Sequence, residues 1–203
     1  QQLDSVFSDI EFAAVKTGML ANKEIVEIVA EKLKEFDLPN LVVDPVMTAS
    51  SGDLLLEQDA VTAYKNFLFP LADLITPNLP ETKVLLGKDI KEEVDLKKLA
   101  EELYKLGSKN VLVKGGHEKS SDHSAVDLLY DGNEFVEYKA EFIDTTHTHG
   151  TGCTLSSAIA SNLAKGYSVK KSVKISKKYI TQAIRSGFLV GKGNNPVNHF
   201  VDF

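Results

Sequence analysis

A glycine-rich turn close to the C-terminal end of the sequence has the residues best suited to chemistry. Gly150, Thr151, Gly152 and Cys153 lead directly into a run of small residues that is typical of a packed helix. Because glycine lacks a Cβ, a bulky ligand can reach its backbone N–H. The first N–H groups of a helix have no partners within the helix and carry partial positive charge. The turn is therefore a candidate site for an anion, most often a phosphate.

The only cysteine of the chain, Cys153, lies in this turn. A helix N-terminus lowers the pKa of a thiol placed there, so we expect a lowered pKa for Cys153. A glycine-rich turn before an ordinary packed helix is the alternative interpretation, and the turn alone does not decide between the two. A single cysteine does exclude an internal disulfide framework and a zinc cage built from cysteines.

Further candidate residues follow short strand-like runs, which cover residues 12–18, 41–43, 72–76 and 110–113. The last three runs are largely apolar, as strands buried on both faces of a sheet are. In open α/β sheets the ligand lies beyond the carboxyl ends of the strands, so residues at these ends should converge on one crevice. The candidates there are Lys16, Thr17, Gly18, Met19, Asp44, Asn78, Glu81, Lys114, Gly115 and Gly116.

The elements that would position these residues alternate along the chain. Hydrophobic periodicity predicts helices over residues 22–36, 57–69, 95–106, 154–165 and 169–190, and another that begins at 78–81. Two alternating runs around Asp131, Gly132 and Asn133 predict a β-hairpin. Such a chain forms an α/β fold with a mostly parallel central sheet, helices on both faces and the hairpin before the helix of the glycine-rich turn.

The candidate residues have complementary properties that suit phosphoryl transfer. Lys114 would supply a cation for a phosphate bound at the turn, and Asp44 with Glu81 would supply the carboxylates that magnesium uses. Positioning and electrostatic stabilisation do most of the work in such reactions. The Walker pattern is absent, which excludes a P-loop enzyme, and the absence of the Rossmann glycine pattern argues against a dinucleotide dehydrogenase.

Each of these residues also has a purely structural interpretation. Asn78 and Glu81 have the spacing of a helix N-cap with its partner, and Asp44 before proline is typical of a turn. Met19 and Met47 would fill the core, as methionines usually do. The five histidines lack the spacing of a metal site.

Composition limits the class of protein. With 203 residues, 43% of them hydrophobic and 26% charged, the chain is long enough for one soluble globular domain with a substantial core. A net charge of −6 without a basic stripe argues against nucleic acid as a partner. No apolar run approaches a membrane span and no signal-peptide pattern is present, so we expect a cytoplasmic protein without membrane attachment.

Six motifs, in this order, closely resemble those of the hydroxymethylpyrimidine/phosphomethylpyrimidine kinases of thiamine biosynthesis. These kinases belong to the ribokinase-like superfamily, whose three-layer fold agrees with the one predicted above. The resemblance runs from about residue 10 to residue 200, which is nearly the whole chain. The motifs are Val-Lys-Thr-Gly-Met-Leu at 15–20, Asp-Pro-Val-Met at 44–47, Thr-Pro-Asn-x-x-Glu at 76–81, Lys-Gly-Gly-His at 114–117, His-Gly-Thr-Gly-Cys-Thr-Leu-Ser at 149–156 and Pro-Val-Asn-His-Phe at 196–200.

The resemblance implies an enzyme that transfers the γ-phosphate of ATP to 4-amino-5-hydroxymethyl-2-methylpyrimidine and then to its monophosphate. Cys153 stands where sugar-kinase relatives carry an aspartate base, so it would help to activate the substrate hydroxymethyl group. The backbone N–H groups of Gly150, Thr151, Gly152 and Cys153 would form the anion hole for the transferring phosphoryl group.

Further roles follow from the same resemblance. Lys114 would contact the phosphates of ATP, with Thr151, Gly152 and Asn78 also at the ATP site. Asp44 and Glu81, together with Asn78, would organise Mg²⁺ and its waters. Met19 and Val46 would line the pyrimidine pocket, which replaces the core interpretation of Met19. Residues 144–147 and the stretch after residue 190 would border the nucleotide base.

The chain departs from the family at its beginning. The family starts with a Gly/Ser-rich strand and loop that holds much of the pyrimidine, and nothing here matches that segment. We therefore expect residues 1–203 to form a single, N-terminally incomplete kinase domain whose substrate pocket lacks one wall.

Three further interpretations stay open. A pyridoxal kinase of the same family branch would share the turn and its cysteine. A paralogue that binds nucleotide or pyrimidine without catalysis would fit as well. Members of the family commonly pair, so a homodimer is also open.

Overall fold

The computed structural model describes residues 1–47, 55–88, 95–115 and 123–203. Gly116 and His117 of the fourth motif lie outside these ranges. All other candidate residues lie within them.

In the part of the chain that the structure describes, a six-stranded sheet forms the centre of the fold, and its strands follow one another in sequence order. The first four strands run parallel, and the last two form an antiparallel hairpin that extends the sheet. The predicted mostly parallel sheet with a hairpin is therefore confirmed. The strands are β1 (Val15–Thr17), β2 (Leu41–Val43), β3 (Leu74–Ile75), β4 (Val111–Lys114), β5 (Ser124–Tyr130) and β6 (Phe135–Glu141).

Helices cover both faces of this sheet. One core lies between the sheet and the helices that precede β5, and it takes the side chains of Val43, Ile75 and Val113. The core on the opposite face lies against the two helices that follow β6, and it takes the side chains of Val42, Leu74 and Leu112. Side chains alternate across a strand, so these apolar strands are buried on both faces. The helices are α1 (Gln2–Phe7), α2 (Lys23–Glu35), α3 (Gln58–Ala63), α4 (Leu79–Leu86), α5 (Leu96–Tyr104), α6 (Thr151–Ala164) and α7 (Val169–Arg185).

The predicted helices are all present, but some of their details differ. Asn22 caps α2, with its side-chain oxygen accepting from the N–H of Ile25 at 3.0 Å. The buried positions of α2 are Val26, Ala30 and Leu33, whereas Ile25 and Ile28 are exposed. Within the described ranges, no helix combines the length and apolar character that crossing a membrane requires.

The helix predicted at 57–69 is interrupted. After α3 the backbone widens into a π-helical turn, Tyr64–Leu68, and then tightens into a 3₁₀ turn, Phe69–Leu71. Pro70 lies in the 3₁₀ turn and lacks a backbone N–H, so the helical segment ends there. The change of winding places Tyr64, Leu68 and Phe69 in the core with no exposed surface.

Candidate active site

Four charged side chains from four different elements meet at the carboxyl edge of the parallel strands. Lys114 at the end of β4 places its Nζ 2.9 Å from Oδ1 of Asp44, which directly follows β2. The same Nζ lies 3.8 Å from Oε2 of Glu81 in α4. Lys16 of β1 approaches Asp44 from the other side, with 3.8 Å between its Nζ and Oδ2. The predicted convergence of Asp44, Glu81 and Lys114 is thus a feature of the structure.

Asp44 is the centre of this cluster and has no exposed surface. Besides the two lysines, its carboxylate accepts hydrogen bonds from the hydroxyls of Thr76 and Ser156, each at 3.0 Å. Sequence reasoning missed Thr76 and Ser156, although both lie in the quoted motifs, and it placed Lys16 at this edge without giving it a role. Ser156 follows Cys153 by three positions, a spacing that puts both on one face of α6 and could have drawn attention to it.

Asn78 and Glu81 do form the predicted helix cap. The Asn78 side chain accepts from the N–H of Glu81 at 2.8 Å, and the Glu81 carboxylate accepts from the N–H of Asn78 at 2.7 Å. The cap also fixes Glu81 beside Lys114, and the side chain of Glu81 is buried. Glu81 is therefore both the partner of the Asn78 N-cap and a member of the charged cluster.

The glycine-rich turn forms the beginning of α6 itself. Gly150 is the N-cap residue with φ +84°, a conformation that side chains other than glycine rarely adopt. The helix starts at Thr151 and not at the predicted residue 154, so Gly152 and Cys153 lie in its first turn. Among the residues that the structure describes, nothing pairs with the N–H groups of Gly152 and Cys153. This end of α6 thus keeps the properties of an anion site.

Gly152 lets the charged cluster and the end of α6 come together. A Cβ at this position would lie 3.2 Å from Nζ of Lys114, closer than such contacts normally are. The ammonium group therefore sits directly against the first turn of α6. Gly18 gives Lys16 similar room, since a Cβ there would lie 3.0 Å from its Nζ.

The charges in the cluster shift one another's pKa values. Burial alone would raise the pKa of Asp44, but the Lys114 and Lys16 ammonium groups outweigh it and the pKa is lowered. Burial would lower the pKa of Lys114, but Asp44 and Glu81 raise it above its usual value. Burial, with a contribution from Asp44, raises the pKa of Glu81 despite the nearby Lys114. Asp44 and Lys114 are therefore a firmly charged pair at neutral pH.

A model of the family described as phosphomethylpyrimidine kinase matches residues 1–198. The chain belongs to the phosphomethylpyrimidine kinase family. The family that the motifs predicted is therefore confirmed, and so is the class of enzyme, because the family model and several curated relatives are named for kinases.

Two curated relatives give the extent of the similarity. The chain is 46% identical over 200 residues to the thiamine biosynthesis bifunctional protein ThiED of Geobacter sulfurreducens, covering 98% of the chain but 40% of that relative. It is 41% identical over 200 residues to the hydroxymethylpyrimidine/phosphomethylpyrimidine kinase of Bacillus subtilis, covering 98% of the chain and 73% of that relative. The chain thus spans less than half of the first relative and about three quarters of the second.

Among solved structures, an ADP complex of the pyridoxal kinase of Bacillus subtilis superimposes with a TM-score of 0.90. The two chains are 39% identical, and the match covers 98% of this chain and 74% of that one. The predicted ribokinase-like fold is thereby confirmed.

The pKa of the Cys153 thiol differs from the expected one. Partial burial and the nearby Asp44 carboxylate raise the pKa of Cys153, although Lys16 and Lys114 act in the opposite direction. The lowered pKa expected from the helix N-terminus was therefore wrong, because that expectation left out the partial burial of the thiol and the Asp44 carboxylate that follows β2. Cys153 is nevertheless exposed, so a ligand can reach its sulfur.

The two methionines of the site motifs lie in different surroundings. Met47 is fully buried, as a core residue is, whereas Met19 is 53% exposed at the edge of the site. Val46 is half-buried between Asp44 and Met47. The exposure of Met19 contradicts its interpretation as core filler and leaves its side chain accessible to a ligand.

The segments expected to border the nucleotide base are joined to each other. The N–H of Asn195 donates to the carbonyl of Thr146 at 3.0 Å, and the N–H of His149 donates to the carbonyl of Asn195 at 3.0 Å. Beside them a groove of about 630 Å³ extends from Cys153 along α6 toward Pro196. The groove gives room for a ligand next to the anion site.

Proposed function

We propose that this protein transfers the γ-phosphoryl group of ATP to hydroxymethylpyrimidine and then to its monophosphate. The observation that carries the proposal is the contact between Lys114 and the first turn of α6, made close by Gly152. It combines free backbone donors with the Lys114 ammonium group, whose side chain is 12% exposed, and together these suit a group that gains negative charge during transfer. The names of the curated relatives support the choice of substrate.

The chain's own residues would act mainly by position and charge. Phosphate oxygens would bind the N–H groups of Gly152 and Cys153, with Thr151 beside them, and Lys114 would face the transferring group. Lys114 keeps its proton because Asp44 and Glu81 stabilise the charged form. Asn78 orients Glu81 and thereby keeps this carboxylate in the cluster.

Magnesium fits the donor set at this site. Asp44 and Glu81 are two buried carboxylates near one lysine, and Mg²⁺ in proteins usually takes one or two carboxylates, several waters and phosphate oxygens. Since both carboxylates already accept hydrogen bonds from the protein, they would hold the ion through its waters. Bound Mg²⁺ would neutralise charge on the phosphates.

The acceptor, hydroxymethylpyrimidine or its monophosphate, would lie between Cys153 and Met19. Its hydroxyl oxygen forms the new bond to the γ-phosphorus while the bond from that phosphorus to the β-phosphate oxygen breaks, and ADP leaves. As a thiolate, Cys153 would orient the acceptor hydroxyl and receive its proton, and the raised pKa makes the thiolate the minor form at neutral pH. Met19 and Val46 would contact the ring, with Met19 accessible for this purpose.

A pyridoxal kinase is the second candidate. The specific observation in its favour is the TM-score of 0.90 with the pyridoxal kinase of Bacillus subtilis. Its 39% identity is close to the 41% of the pyrimidine kinase from the same organism, so overall similarity does not separate the two acceptors.

The deciding experiment measures ATP-dependent phosphorylation of hydroxymethylpyrimidine and of pyridoxal by the protein. Preference for the pyrimidine, judged by kcat/KM, supports the proposal, and preference for pyridoxal replaces it with the alternative. If neither acceptor is phosphorylated while ATP still binds, the proposed activity is wrong.

The role of Cys153 gives a separate prediction. Replacing Cys153 with Ala should lower kcat by about 10²-fold, the usual scale for losing a positioned proton acceptor. Cys153→Ser keeps a hydrogen-bonding group and should lose less. Steady-state kinetics at saturating ATP measure both variants, and Ser157→Ala, one turn further along α6, is the control. Full activity in Cys153→Ala would exclude this role.

A further inference from the structure

A buried phenol holds the loop that carries Met19. The hydroxyl of Tyr64 donates to the carbonyl oxygen of Gly18 at 3.1 Å and accepts from the N–H of Leu20 at 3.0 Å. These two backbone groups stand on either side of Met19. One side chain, 44 residues away from Leu20 in sequence, therefore fixes both ends of this short loop.

The position of Tyr64 is itself well determined. It opens the π-helical turn, it has no exposed surface, and its ring packs against Phe69 with 6.0 Å between centroids. Single π-helical turns within helices often occur at functional sites. Because the turn interrupts a regular helix, it gives Tyr64 an orientation that the helix pattern does not predict.

The hydroxyl also lies near the charged cluster. Burial, with contributions from Asp44 and Glu81, raises the pKa of Tyr64 to about 12. The phenol therefore stays protonated and keeps donating to Gly18 at neutral pH. Gly18 is the residue that makes room for Lys16, so the loop joins the cluster to the exposed Met19.

We infer that Tyr64 is a positioning residue for the acceptor pocket. It acts by fixing the position of Met19 beside the charged cluster. This inference rests on the proposed function, because that proposal assigns Met19 to the acceptor. It adds a residue from a different element, 45 positions along the chain from Met19, to the groups that select the acceptor.

Tyr64→Phe removes the hydroxyl and keeps the ring in the core. It leaves the Gly18 carbonyl and the Leu20 N–H without their partner, so the loop should leave its present conformation for part of the time. We expect KM for the acceptor to rise about tenfold, because affinity falls with the population of the binding-competent state. KM for ATP and kcat should stay within about twofold, since neither depends on Met19.

Tyr138→Phe is the matched control. Tyr138 is also buried, and its hydroxyl donates to the backbone carbonyl of Lys170 at 3.0 Å, in the core of α6 and α7. This control loses a comparable hydrogen bond away from the Met19 loop. Its acceptor KM should match that of the wild type, and exchange of the Leu20 amide proton should accelerate in Tyr64→Phe alone.

Met19→Ala keeps the inference testable if Tyr64→Phe does not fold, because Met19 is 53% exposed and its truncation leaves the core intact. It should raise the acceptor KM by itself, and Tyr64→Phe should add little to it in the double variant. An unchanged acceptor KM in Tyr64→Phe or in Met19→Ala would overturn the inference. A wild-type protein that phosphorylates no acceptor would instead overturn the proposed function on which it rests.

Discussion

Replacing Lys114 with Met should lower kcat for phosphoryl transfer by about 10³-fold, the scale on which single cations stabilise phosphoryl-transfer transition states. The Lys114 ammonium group lies against the first turn of α6 and pairs with Asp44 at 2.9 Å. Methionine has nearly the same length and no charge, so the variant tests the charge and not the packing. Steady-state kinetics at saturating acceptor and ATP measure the effect.

The control for this prediction is an ion pair at the opposite edge of the sheet. Lys109 pairs with Asp73 at 2.8 Å, where Asp73 precedes β3 and Lys109 precedes β4. Lys109→Met should leave kcat within about twofold, because exposed ion pairs contribute little. Retention of most of the activity in a folded Lys114→Met protein would contradict the assignment of Lys114 to the transferring phosphoryl group.

The meeting of Lys114, Asp44 and Glu81 could be predicted from sequence because it follows from one rule of topology. Parallel strands in an α/β sheet end at the same edge, so residues just after successive strands lie close together. The alternation of strands and helices was sufficient to place them. No distance between side chains was needed for that step.

Thr76 directly follows β3, so the same rule places its hydroxyl near Asp44. The hydroxyl of Ser156 could not be found in this way, because it reaches Asp44 from α6 and is 112 residues away from it in sequence. Whether a hydroxyl bonds to a distant carboxylate or to its own helix depends on the final packing of α6 on the sheet. A local pattern cannot decide this.

The thiol of Cys153 illustrates the same limit for electrostatics. The position at a helix N-terminus was predicted correctly, and by itself it favours the thiolate. The carboxylate of Asp44 comes from a remote strand, and together with partial burial it raises the pKa. A pKa is a sum over neighbours in space, so a prediction from one local contribution obtained the wrong sign.

Asp44→Asn should have the second large effect, on stability as well as activity. Asparagine keeps the shape of the side chain but removes the charge that compensates Lys114 and Lys16. Breaking a buried ion pair by neutralising one partner costs about 3 kcal/mol or more. We expect a lower free energy of unfolding by about that amount at neutral pH, and a fall in kcat of at least about 10²-fold.

The pH dependence of unfolding distinguishes this electrostatic effect from a packing defect. The pKa of Asp44 is lowered in the folded protein, so its contribution is complete above the unfolded-state value of about 3.9 and is lost as pH falls through the lower folded value. Urea unfolding at about pH 7 and at about pH 3 should therefore give a smaller difference between wild type and Asp44→Asn at the acidic pH. Asp73→Asn, at the other edge of the sheet, is the control. A difference that stays constant with pH would mean that Asn disturbs packing, and the ion pair with Lys114 would then not be the source of the stability.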